Sequence, residues 1–241
     1  MRGIILAGGA GTRLHPLTRV TSKQLLPLYN KPMIYFPLET LIMSGITEIL
    51  IIMAPDHAGD FVKLLGSGKD FGCKFSYEIQ DKPNGLAEAF VIGENLIDKE
   101  QVALILGDNY FEETFVEPVR NFQSGALVFA TEVPDPQRFG VVDFDENKHV
   151  TSIIEKPEQP KSNYAVTGLY VYDNTVVQKA KNLKPSLRGE LEITDLNNLY
   201  LKEQTLSVEF VKGKWLDTGT FEALYQATTF VRDKELQKAA V

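Results

Sequence analysis

The sequence predicts an α/β fold, a mixed but mostly parallel central sheet flanked by helices, on three observations. Near-continuous apolar runs at residues 3–7, 48–53, 74–79, 102–106 and 126–131 have the composition of strands covered on both faces. Helical patterns at 33–44, 85–96 and 112–122 alternate with them, as when helices pack on each side of such a sheet. Three glycines in four positions, Gly8, Gly9 and Gly11, close the first run. Along the chain, Ile4-Ile5-Leu6-Ala7 reads as a buried strand feeding the glycine turn, and the first helix follows Pro32. After residue 135 the pattern changes. Residues 139–144 and 150–155 flank Asp145-Glu146-Asn147-Lys148 as a hairpin, 164–172 is a further strand, and helices are expected around 193–203 and 220–238. No repeat, linker or low-complexity segment intervenes, so the second half is expected to extend the same sheet.

The 241 residues suffice for one α/β domain or two small ones. A net charge of −7 argues against a nucleic-acid binder built on a basic face. An acidic protein that handles polyanions must concentrate cations locally or use a metal. The lone Cys73 excludes an internal disulfide and suits a reducing cytoplasm; within Phe71-Gly72-Cys73-Lys74-Phe75 it reads as a small core hydrophobe. No apolar run approaches the ~20 residues of a membrane span, and the apolar stretch before the glycines is too short for a signal-peptide core. A soluble intracellular protein with no membrane partner is expected.

Ligands of such sheets collect beyond the carboxyl ends of the strands. At the first end, Gly8-Gly9-Ala10-Gly11-Thr12-Arg13 offers backbone N–H groups that suit a phosphate, and a guanidinium that forks onto its oxygens. The bland alternative is a tight turn with a solvated arginine. Leu14 stands where a dinucleotide fingerprint needs its third glycine, and no Gly-Lys-Ser/Thr follows, which excludes that fingerprint and the P-loop. Lys23 is a second cation or a surface lysine. Asp108, in Leu106-Gly107-Asp108-Asn109, is a turn residue or a Mg²⁺ ligand acting with substrate phosphates. Asp217, in Trp215-Leu216-Asp217-Thr218-Gly219-Thr220, is a helix-capping residue or a second metal carboxylate, and Trp215 reads as core. Glu155-Lys156-Pro157 ends a strand with an acid and a base that could read a sugar hydroxyl and a phosphate, or stay solvated. Gln80 and Gly85-Leu86-Ala87 have the character of a base-reading edge. His15, His57 and His149 lack metal-ligand spacing, and no serine nucleophile pattern occurs.

Together these segments resemble the sugar-1-phosphate nucleotidyltransferases, and within them the glucose-1-phosphate thymidylyltransferases. The matching stretches are Leu6–Leu14, Ser22-Lys23-Gln24-Leu25-Leu26-Pro27, Lys31-Pro32-Met33-Ile34-Tyr35, Leu106-Gly107-Asp108-Asn109 and Glu155-Lys156-Pro157, followed by residues 162–170, 188–195 and 215–220. They cover almost the whole chain in order. The resemblance implies a single Rossmann-like nucleotidyltransferase domain over 1–241, with 1–134 mainly nucleotide-binding and 135–241 mainly sugar-phosphate-binding plus a C-terminal helix. It implies that Gly8, Gly9 and Gly11 line the nucleotide, that Arg13 and Lys23 contact its phosphates, and that Gln24, Gln80 and Gly85 face the pyrimidine. Asp108 and Asp217 would hold Mg²⁺, with Arg13 and Lys23 sharing the catalytic work. Asn109, Gly140, Glu155 and Val166 would meet the sugar, and Lys156 its phosphate.

The implied reaction joins dTTP and glucose 1-phosphate into dTDP-glucose and pyrophosphate, feeding dTDP-rhamnose-type biosynthesis in the cytoplasm. Its partners would be these small molecules and further copies of the chain, with no nucleic acid. A uridylyl- or cytidylyltransferase is the competitor within the family; Ser22-Lys23-Gln24 favours thymidylyl transfer. The sequence departs from the family at Phe139, where tyrosine is usual, and at Asp81-Lys82-Pro83-Asn84, more charged than expected before Gly85. The chain also stops about fifty residues short of longer members, so the end-product sugar nucleotide is expected to inhibit through the active site alone.

Overall fold

The computed structural model describes residues 1–9, 11–146 and 149–239. In chain order its strands are β1 (Arg2–Ala7), β2 (Pro27–Leu28), β3 (Lys31–Pro32), β4 (Glu48–Met53), β5 (Lys74–Ile79), β6 (Val102–Leu106), β7 (Asn109–Phe111), β8 (Ala126–Glu132), β9 (Gly140–Phe144), β10 (Val150–Glu155), β11 (Tyr164–Tyr172), β12 (Leu206–Phe210) and β13 (Trp215–Asp217). The helices are α1 (Tyr35–Met43), α2 (Ala58–Leu65), α3 (Glu88–Ile92), α4 (Glu94–Ile97), α5 (Val116–Asn121), α6 (Val176–Lys181), α7 (Ile193–Lys202) and α8 (Phe221–Ala239).

Nine strands form one sheet, in which β10-β9-β11-β6-β1-β4-β5 is the main path and β8 joins β11 to β12. Strand β1 is parallel to β4 and β6, β4 to β5, and β8 to β12; β11 is antiparallel to β6, β8 and β9, and β10 to β9. Only β10 and β11 therefore oppose the common direction, which is the mostly parallel sheet the apolar runs predict. Strands β9 and β6 occupy successive stretches of one edge of β11, at Ala165 and at residues 169–172. Between them, where the pairing of β11 with β8 shifts register between Val166 and Tyr170, the sheet parts.

The two-residue period of the strands divides the core. Ile4, Leu6, Leu50, Ile52, Val102 and Leu104 face one side, with Phe90 of α3, Val176 and Val177 of α6, and Leu196 and Tyr200 of α7. Ile5, Ile49, Ile51, Ala103 and Ile105 face the other, with Leu38 and Leu41 of α1 and Phe61 and Leu65 of α2. A smaller cluster of Leu28, Met33, Phe36, Tyr110, Ala227 and Val231 anchors α8. Among the described residues no helix is long and apolar enough to cross a membrane.

Some elements differ from the sequence reading. The helix expected over 85–96 begins at Glu88 and breaks into α3 and α4 at Gly93, where a Cβ would stand 2.8 Å from Ile4 Cδ1. The helix expected over 112–122 shortens to α5, because the carboxylates of Glu112 and Glu113 instead accept the backbone N–H groups of Lys214 and Lys212. The hairpin of β9 and β10 forms as expected; Asn147 and Lys148 of its turn lie outside the described residues.

Candidate active site

The carboxyl ends of β1, β5 and β6 bring the first half's candidates together. The turn after β1 places Gly8 against Gln80, whose Oε1 lies 2.6 Å from where a Gly8 Cβ would stand. Gln80 is buried and donates through Nε2 to Glu88 Oε2 at 2.8 Å and to the Gly85 carbonyl at 3.4 Å. Gly9 is exposed, and among the described residues none beyond its chain neighbours lies within 4 Å of where a Cβ would stand. Gly11 adopts φ +62°, its carbonyl accepts the Thr18 hydroxyl at 2.7 Å, and the Lys23 side chain packs beside it. Gln24, also buried, accepts from Ser22 Oγ at 2.6 Å.

Two carboxylates from distant segments meet here. Lys23 Nζ pairs with Asp108 Oδ2, and both side chains are nearly buried. Strands β7 and β13 pair with Asp217 opposite Asn109, which delivers Asp217 beside Asp108. Thr218 secures the junction: its N–H and Oγ1 both donate to the Asp108 carbonyl, at 3.1 and 2.8 Å. Arg13 Nη2 and Asp217 Oδ1 flank Gly219, and Arg138 Nη2 lies 4.0 Å from Asp217 Oδ2. Burial pushes both carboxyls up, but at Asp108 the Lys23 ammonium together with hydrogen bonds from Lys23, Asn109 and the backbone outweighs it and holds that group below its ordinary range. At Asp217 burial, reinforced by the negative Asp108, prevails, and its pKa is pushed up to about 6.

From this point a cleft of about 700 Å³ runs along the gap in the sheet. Arg13, Asp108, Asn109, Gly140, Glu155, Lys156, Val166 and Asp217 all line it. Glu155 Oε2 accepts from Thr194 Oγ1 at 2.7 Å, close against Gly140 and Val166. Lys156, at φ +43°, reaches back to Glu155 Oε1 at 3.1 Å. Gly8, Gly9, Gly11, Lys23, Gln24, Gln80 and Gly85 are not among the cleft's walls; they adjoin it through Arg13, Leu86 and the Lys23–Asp108 pair.

The Nucleotidyl transferase family matches residues 2–234 of the chain. The chain belongs to that family. The glucose-1-phosphate thymidylyltransferase of Neisseria meningitidis serogroup A is 55% identical to this nucleotidyltransferase over 96% of the chain and 83% of the relative. The protein of the same name from Mycolicibacterium smegmatis is 54% identical over 99% and 84%. A crystal structure described as a putative glucose-1-phosphate thymidylyltransferase from Bacillus anthracis, in complex with a sucrose, superposes with TM-score 0.92 at 47% identity, covering 97% of this chain and 96% of that one. A UDP-glucose pyrophosphorylase complexed with UDP-glucose superposes with TM-score 0.85 at 26% identity, covering 97% and 98%.

Enzymes of this family generally use a divalent metal. The donor set fits a hard cation: the negative Asp108 raises the proton affinity of the neighbouring, largely buried Asp217, a repulsion that a divalent ion relieves, and phosphate oxygens commonly complete such a shell. Among the described residues no third acidic, His or Cys side chain joins them in a ready-made cage.

The nucleotidyltransferase cleft also holds residues to which the sequence reading gave no role. Arg138 and Arg188 line it, so Arg13, Arg138, Lys156 and Arg188 supply four cations to an acidic protein's site. Arg188 is held by Glu192, with Nη2 donating to both oxygens at 2.9 and 2.8 Å. It belongs to the matching stretch 188–195, which was the available clue. Trp215, read as core, is a cleft wall: Phe139 packs edge-on at 5.2 Å, and its Nε1 donates to Asn109.

Proposed function

We propose that this nucleotidyltransferase moves the thymidylyl group of dTTP onto glucose 1-phosphate, releasing pyrophosphate. One observation carries the reading: a single cleft joins the Lys23–Asp108–Asp217 cluster to a wall of Glu155, Thr194 and Lys156 shaped for a sugar phosphate. The relatives above 50% identity bear the corresponding name. The attacking sugar phosphate is largely dianionic at neutral pH, since its second pKa is ~6, so the protein need not remove a proton. Its task is to hold two polyanions together in line. The Gly8–Gly11 turn and Arg13 would receive the triphosphate, with Lys23 leaving Asp108 for a phosphate oxygen. Gln24, Gln80 and Gly85 would read the pyrimidine. Asn109, Gly140, Glu155 and Val166 would seat the sugar, and Lys156 and Arg188 its phosphate. A Mg²⁺ held by Asp108 and Asp217 would offset charge on the transferring phosphoryl group.

The lone Cys73 and the nucleotide substrate support a cytoplasmic location. Exposed Phe221, Tyr225 and Leu236 fall on one side of α8, which supports self-association; sedimentation would test it.

Pyrophosphate release with glucose 1-phosphate and each of dTTP, UTP, CTP and GTP tests the function. The 5-methyl group of thymine is worth roughly 1–3 kcal/mol in a fitted apolar pocket, so UTP should be about ten- to hundredfold less efficient. The likeness to the UDP-glucose pyrophosphorylase makes uridylyl transfer the second reading, and UTP exceeding dTTP would establish it. Equal use of GTP would overturn the base-reading edge.

A further inference from the structure

Asn109 opens β7, is 2% exposed, and uses its side-chain amide to join three parts of the site. Nδ2 donates to Asp108 Oδ1 at 3.1 Å, while Oδ1 accepts from Trp215 Nε1 at 2.6 Å and from the Gly168 N–H at 3.1 Å. These partners stand in the turn after β6, on β13, and in the stretch of β11 where the register shifts. Both lone pairs of the carbonyl oxygen are engaged, and one amide N–H is left over. The approach is close: a Cβ at Gly168 would stand 2.4 Å from Asn109 Oδ1, so only glycine admits the amide there.

We propose that Asn109 is a positioning residue for nucleotidyl transfer, setting the direction of the Asp108 carboxylate and the plane of the Trp215 indole as one unit. The proposal rests on the function assigned above. It ties the nucleotide side of the cleft, where Asp108 works, to the sugar side, where Trp215 is a wall. An amide suits this junction because it gives and accepts at once. Aspartate would still accept from Trp215 and Gly168 but has no proton for Asp108 and adds a repelling charge. An aliphatic side chain would strand two buried N–H groups.

Trp215 is the only tryptophan, so its emission reports on the junction without any turnover. In ligand-free protein, Asn109→Ala should shift the emission and raise acrylamide quenching, whereas Asn109→Asp should keep the wild-type spectrum. With both substrates and Mg²⁺, each variant should lose about tenfold or more in kcat, because each loses the charge-assisted bond that aims Asp108. Gly168→Ala leaves the amide in place and crowds its oxygen; it should reproduce the emission shift and the kcat loss, and it decides the matter if Asn109→Ala does not fold. Wild-type emission in Asn109→Ala, or in Gly168→Ala, would overturn the Trp215 arm. A kcat for Asn109→Asp within about twofold of wild type would overturn the Asp108 arm. If the wild-type protein forms no dTDP-glucose, the assigned function fails instead, and the ligand-free spectra still judge the junction.

Discussion

At residue scale, Asp217 holds its charge where that charge costs stability. Its carboxyl is largely withdrawn from solvent beside Asp108, and its pKa is pushed up to about 6 by burial first and by that neighbour second. A carboxyl whose folded-state pKa is raised contributes stability below the unfolded value of 3.8, and that contribution is lost as pH rises through about 6. Asp217→Asn should therefore leave the melting temperature of the ligand-free protein unchanged or higher at pH 8. The same substitution, or Asp108→Asn, should lower kcat by about a hundredfold or more, the loss typical of removing a group that stabilises transition-state charge. Excess EDTA should abolish wild-type activity. Full turnover in EDTA, or in Asp217→Asn, would remove the metal from the reaction. These acids were visible in the sequence because each follows a recognisable segment. Arg138 and Arg188 were not assigned, because an arginine in a polar loop looks solvated until a distant strand is laid against it.

At the scale of elements, the long buried strands were legible and the short ones were not. Runs such as Glu48–Met53 declare themselves by continuous burial. Helices α2 and α6 bury only two and three residues, Phe61 and Leu65 in one and Val176, Val177 and Ala180 in the other. At eight and six residues each offers only about two turns, too short a stretch for a helical period to stand out along the chain. Strand β12 is largely exposed and is defined by its pairing to β8 rather than by its composition. The junction before β8 depends on Gly125, at φ +83°, where a Cβ would stand 2.2 Å from the Thr205 carbonyl oxygen. Its N–H donates to Asp173 Oδ2 at 2.7 Å. Gly125→Ala should cost about 2 kcal/mol or more, a fall of roughly 4 °C or more in melting temperature for a chain of this size. Gly125 precedes β8, at the end of the sheet away from the cleft, so kcat per folded molecule should not change. Thermal melts paired with active-site-normalised rates would check both halves of that expectation; lost kcat at an unchanged melting temperature would contradict it.

At the scale of the whole molecule, one nine-stranded sheet spans both halves of the chain. On the proposed function the turn after β1 and the end of β6 would serve the nucleotide and β9, β10 and β11 the sugar, while β13 returns late in the chain to put Asp217 beside Asp108. A ligand in that cleft stabilises all of them together. dTTP with Mg²⁺ at about a hundred times its Kd should add about 2.7 kcal/mol, or roughly 5–11 °C in melting temperature. Differential scanning fluorimetry at rising dTTP would show it, and no shift at saturation would contradict the nucleotide site. The sequence by itself determined the α/β alternation, the glycine turn that closes the first strand, the residues beyond each main strand end and the family they resemble. Those features are local, since burial period, glycine spacing and short motifs are written in neighbouring residues. Only the tertiary structure decided that Lys23 pairs with Asp108, that Asp217 lies against it, that Arg138 and Arg188 enter the cleft and that Asn109 ties Trp215 to Asp108. Each of those contacts, apart from the short step between Asn109 and Asp108, joins residues far apart in the chain. Their distances are set by strand order and register, which arise when the sheet assembles and which no single segment encodes.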